Sequence, residues 1–143
     1  GCAFVAPWAS VVIGGLAGVV VILAIDLVEA LKIDDPVGAF AVHGACGIFG
    51  TLMIGLVGQP ELTNGVGGLL MGGGVDMLVT QFIGSAATII WVGVTSFLTF
   101  GGLKMIGRLR VASAADEVGI DIYEHGASLW PDILPVPSEG AGD

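Results

Sequence analysis

Three stretches without a single formal charge constrain this chain more than any other feature. Pro7 to Ile25 gives 19 such residues, Pro36 to Pro60 gives 25, and Met77 to Leu103 gives 27. A hydrocarbon core about 30 Å thick is crossed by about 20 helical residues, so each stretch is long enough to span. A soluble bundle would need a polar stripe along each helix, and none of the three has one. The rest of the chain cannot make up the deficit, because only 12% of all residues are charged. The chain therefore reads as an all-α membrane protein. Residues 1–111 form the transmembrane region, with spans at about 8–31, 36–58 and 76–105, and residues 112–143 form a tail.

Local signals set the ends of the spans. Trp8 follows Pro7, where an interfacial tryptophan would sit. Gly14 and Gly18 make a G-x-x-x-G face that lets another helix come close. Asp26, Glu29 and Lys32 mark the exit of the first span into water. Asp34 and Asp35 precede Pro36, which predicts a carboxylate cap on the second helix with proline in its first turn. The second span is rich in small residues, Gly44 and Gly47 among them, which suits close helix packing or a narrow path. Gln59 to Asp76 holds six glycines and reads as a flexible connector. It lacks the Lys-Ser/Thr ending of a phosphate loop.

Charge is unevenly spread. From Ala112 to Asp143 there are seven acids and no Lys or Arg, whereas the remainder has four bases and six acids. An acidic tail without a basic patch argues against nucleic acid as a partner. Lys32 lies in the first link, and Lys104, Arg108 and Arg110 follow the third span. One helix separates those two exits, so all four bases fall on one side. The positive-inside rule makes that side cytoplasmic, and the tail with it. The chain opens Gly-Cys-Ala-Phe, without an initiator Met or a basic leader. It is expected to be the C-terminal piece of a longer membrane protein, in a cell (inner) membrane.

His43 is the main candidate for chemistry. It lies about eight residues into the second span, about 12 Å along its axis at 1.5 Å per residue. Intramembrane ionisable residues mark pathways and relays more often than plain packing. A neutral imidazole offers one donor and one acceptor. It can pass a proton or hold a small polar molecule. Gly47 and Gly50, at i+4 and i+7, would leave that side nearly free of bulk. The competing reading is a structural histidine bonded to a neighbouring helix. His125 in the tail needs no site role. Cys2 and Cys46 lack metal spacing and read as buried free thiols. No nucleophile set, metal set or cofactor motif is visible, so an enzyme is not expected.

The stretch KIDDPVGAFAVHGACGIFGTLMIGL closely resembles the tenth-helix signature of the ammonium transporter family, roughly D-D-P-x5-V-H-G-x-x-G. The matching residues are Asp34, Asp35, Pro36, Val42, His43, Gly44 and Gly47. CAFVAPWASVVIGGLAG looks like the end of the eighth helix and the ninth, and QFIGSAATIIWVGVTSF like the eleventh. GRLRVASAADEVGIDIYEHG resembles the family's tail. The resemblance implies the last three helices of an eleven-helix fold that assembles as a homotrimer with one pore per subunit. It implies that ammonium or ammonia is the substrate. His43 would be the second of two facing pore histidines, the first lying on the fifth helix. The tail would couple subunits or meet a PII-type regulatory protein. Two other functions stay open: an ammonium sensor of the same fold, and a purely structural fragment.

Overall fold

The computed structural model describes residues 1–126. The second half of the tail, residues 127–143, lies outside the described residues. Helix α1 covers Pro7–Ala30. A π-helical segment, Phe40–Ala45, runs directly into α2, Cys46–Val57. Helix α3 covers Asp76–Met105, and two short helices follow, α4 at Ala114–Val118 and α5 at Ile120–His125. Among the described residues there is no β-strand, only an isolated antiparallel bridge between Val5 and Gly58. Three helices are long and apolar enough to cross a membrane: Pro7–Ala30, Phe40–Val57 and Asp76–Met105. The chain divides into two compact units, the first being Gly1–Gly93 and the second starting at Val94.

In the first unit α1 packs along the π segment and α2. Small side chains make this possible. Ala9, Ala24 and Ala41 are buried, and the Cys46 thiol donates to the Ala17 carbonyl at 3.6 Å. Both cysteines are free, but Cys2 is exposed and only Cys46 is half-buried. The Gly14–Gly18 face is not the one used here. A Cβ at either glycine would meet nothing within 4 Å, so α1 approaches its neighbour through alanines on another side.

The second span starts later than its proline suggests. Pro36 and Val37 form a turn, and Gly38 takes φ +64°. The helical segment begins at Phe40. The cap comes from further back instead: Asp35 Oδ1 accepts the Ala39 N–H at 2.8 Å, and Oδ2 accepts the Phe40 N–H at 2.9 Å. One carboxylate thus satisfies two of the four N–H groups that a helix start leaves without intrahelical partners. Proline cannot share that duty, because it stands in the turn that swings the carboxylate under the helix.

The glycine-rich loop is more than a connector. It holds two 3-10 turns, Pro60–Leu62 and Leu69–Met71. Gly68 N–H donates to the Gly58 carbonyl at 2.8 Å, and Gln59 N–H to that of Phe4 at 2.9 Å. Gly67 and Gly68 are buried. A Cβ at Gly68 would stand 2.6 Å from the Leu56 carbonyl oxygen, so this glycine permits close backbone approach, whereas Gly65, Gly72 and Gly74 meet nothing within 4 Å and take positive φ. The loop is thereby tied to the end of α2. Just beyond it, Gly55 of α2 meets Leu78 of α3: a Cβ on Gly55 would be 2.6 Å from the Leu78 Cα.

Candidate functional site

His43 sits in the middle of the π segment. There the Cys46 N–H bonds back five residues, to the Ala41 carbonyl, rather than four. Single π turns inside α-helices occur frequently at functional sites. The local sequence permits the wide turn. Ala41, Gly44 and Ala45 add almost no bulk, and the Phe40 ring lies over Gly44, within 3.0 Å of where a Cβ would stand.

His43 lines a cavity of about 670 Å³ between the second span and the first two-thirds of α3. Phe40, Gly44, Gly47, Ile48 and Thr51 complete the wall on the second span. From α3 come Gly84, Ser85, Thr88, Ile89, Val92 and Gly93. The lining is largely apolar. Its polar side chains are His43, Thr51, Ser85 and Thr88. The Thr88 hydroxyl donates to the Gly84 carbonyl at 2.9 Å, which leaves its oxygen as an acceptor toward other groups. The imidazole is exposed in this cavity. The arrangement offers a small polar molecule an imidazole and a few hydroxyls in otherwise greasy surroundings.

The family model described as the Ammonium Transporter Family matches residues 1–129. The chain belongs to this family. Curated relatives are similar over most of the chain. Ammonium transporter 1 member 2 of Arabidopsis thaliana is 37% identical over 91% of the chain, and 26% of its own length is covered. Ammonium transporter 1 member 1 of rice (Oryza sativa subsp. japonica) is 36% identical over 91% of the chain and 27% of its own length. Ammonium transporter 3 of Dictyostelium discoideum is 32% identical over 90% of the chain and 31% of its own length. The chain spans about a quarter to a third of these relatives.

The singled-out residues of this family member fall into two places. His43, Gly44 and Gly47 share the large cavity. Gly50, at i+7 from His43, is not among its lining residues, and Thr51 is. At about 100° per residue, Gly50 lies a further 60° or so round the helix from the Gly47 edge of the wall. Asp34, Asp35 and Pro36 line a separate hollow of about 260 Å³ with Glu29. Among the described residues no three His, Cys, Asp or Glu side chains gather in a way that could hold a metal ion. Sequence reasoning missed Thr51, Ser85 and Thr88. The available signal was the G-S-x-x-T run at 84–88, which puts small and hydroxyl groups four residues apart on one face of an otherwise apolar span.

Proposed function

We propose that the chain is the C-terminal part of a transporter that moves ammonium or ammonia across a membrane, with His43 on the conduction path. Family membership supports the substrate. The observation that carries the residue assignment is the position of His43, in a π turn on the wall of a largely apolar cavity.

The chemistry follows from the cost of charge. An ammonium ion cannot enter hydrocarbon cheaply: the idealised transfer penalty for an ion of this size is of order 20 kcal/mol. Loss of a proton to give neutral ammonia removes most of it. A neutral imidazole can then donate to the ammonia nitrogen or accept an N–H from it. It can also take up and release the proton that ammonia leaves behind. The hydroxyl of Thr51 and the oxygens of Ser85 and Thr88 add acceptors on the same cavity wall. On this reading the whole transporter is a homotrimer. The clustered bases Lys104, Arg108 and Arg110 support a cytoplasmic side for the end of α3, where the tail would meet neighbouring subunits or a PII-type regulatory protein.

The test is ammonium uptake and current in the whole transporter, normalised to assembled protein. His43→Ala removes both a donor and an acceptor, and a partner left unsatisfied costs about 1–3 kcal/mol. Assembly is expected to survive while flux or ion selectivity changes sharply. His43→Glu keeps a titratable group and is expected to retain flux with altered charge movement. Wild-type flux and selectivity in His43→Ala would leave only a structural histidine.

A further inference from the structure

The cavity at His43 is too large to select its own occupant by volume. It measures about 670 Å³, whereas one water molecule takes up about 30 Å³ of the liquid. Ammonia has the same number of electrons as water and needs similar room. Such a cavity admits ammonia and its methylated relatives alike. Size discrimination has to come from one place where bulk stands close to the group that holds the nitrogen. The wall offers few candidates, because glycines, hydroxyl residues and aliphatic side chains make up most of it. Phe40 is the largest side chain there.

The local fold holds Phe40 at a defined place. Its backbone is tied down, since its N–H donates to Asp35 Oδ2 at 2.9 Å. The turn before it makes that bond possible: Gly38 takes φ +64°, and the Gly38 N–H donates to the Asp35 carbonyl at 3.1 Å. The ring is seated on Gly44, where a Cβ would come within 3.0 Å of Cδ2. Only glycine at position 44 lets the ring lie this low, directly beside the residue that follows His43. Phe40 opens the π segment and His43 comes three residues later, about 4 Å along the axis at roughly 1.5 Å per residue. The ring therefore stands between the imidazole and the Asp35 end of the span. It is 54% exposed, so it borders open space. An apolar ring gives the nitrogen no hydrogen bond, and its contribution is bulk. Ammonia at His43 clears it, and every added methyl group has to press against it.

We propose that Phe40 sets the size limit of the transported amine, favouring ammonium over alkylammonium ions. The proposal rests on the reading of His43 as a group on the conduction path, and it adds the place along that path where size is read. A pocket that discriminates by a single carbon does so by about tenfold or more.

The experiment uses the whole transporter in proteoliposomes and reads initial uptake of methylammonium and of ammonium as a ratio. Phe40→Ala is expected to raise the methylammonium-to-ammonium ratio about tenfold. Phe40→Leu raises it by less, and Phe40→Trp lowers it below wild type. Each variant is its own reference, so a loss of folded protein cancels in the ratio. Phe40→Leu, closer in volume to the native ring, keeps the test open where Phe40→Ala does not fold. A ratio unmoved in both variants overturns the proposal. An equal rise in Ile89→Ala, on the α3 side of the same cavity, overturns it too, because added volume anywhere would then suffice. His43→Ala measured alongside separates the two levels. Altered flux in His43→Ala with an unmoved ratio in the Phe40 variants removes the size limit alone. Wild-type flux in His43→Ala overturns the reading of His43, and the proposal with it.

Discussion

The Phe40 ring lies over Gly44 so closely that a Cβ there would stand 3.0 Å from Cδ2 and 3.2 Å from Cε2 of the ring. Both residues also line the cavity with His43. Phe40 is 54% exposed, so the ring has room to yield. Gly44→Ala should therefore cost little stability, under the ~1–3 kcal/mol usual for overpacking a closed core. It should instead push the ring across the cavity. The expected outcome is uptake reduced several-fold at unchanged melting temperature, with recovery on adding Phe40→Leu. A fall in melting temperature without a change in uptake would show that the contact is structural only.

Asp35 and Asp34 are adjacent in sequence and unequal in the fold. Asp35 accepts two backbone N–H groups at the start of the second span, whereas Asp34 is exposed. Loss of a helix cap costs about 0.5–2 kcal/mol. Asp35→Ala should lower the thermal midpoint of the purified transporter clearly, and Asp34→Ala much less. Asp35→Asn should fall between, since an amide keeps only one of the two acceptor oxygens. Equal effects at 34 and 35 would contradict the capping role.

Gly55 is the contact that leaves no room to yield. A methyl there meets the Leu78 main chain at 2.6 Å, and backbone cannot rotate away as a ring can. Gly55→Ala should force α2 and α3 apart and reduce the yield of folded protein, by a destabilisation of about 1–3 kcal/mol. Gly47→Ala is the control, because nothing lies within 4 Å of its Cβ position. Folded yield measured by size-exclusion chromatography separates the two. Similar yields would mean that the helices cross differently in the membrane.

Thr88 offers a milder probe of the cavity. Its hydroxyl is bonded to the Gly84 carbonyl, so Thr88→Val removes an oxygen from the cavity wall while keeping the side chain's shape. Helix stability should change by less than about 1 kcal/mol, the value of one such bond. Uptake should fall by a small factor, far less than in His43→Ala. An effect as large as that of His43→Ala would place Thr88 beside the histidine in importance.

The three spans were legible because hydrophobic runs of this length have one physical outcome. Their contents were harder to read. Pro36 signalled a helix start, yet the chain needed a turn at Pro36 and Val37 before it could bring Asp35 under the helix. Gly14 and Gly18 advertised a contact face, but spacing cannot tell which neighbour uses it, and α1 meets the second span through alanines. His43 stood out because a lone imidazole in an apolar run is conspicuous. Ser85 and Thr88 did not, because hydroxyl residues can bond their own helix and pass unnoticed in a span.

The wide turn around His43 has a consequence for anyone who draws the second span as a wheel. One more residue is wound into that turn than an α-helix would take, so Phe40 to Ala45 and Cys46 to Val57 run on different phases. Because the wide turn absorbs that residue, deleting one residue from the segment would return the winding to α and leave the parts on either side facing much as they do now. A residue inserted into α2 just after Cys46 would instead turn His43 by about 100° away from Gly47 and Thr51. Chain length just after the wide turn is therefore as much a part of the site as the identity of the imidazole.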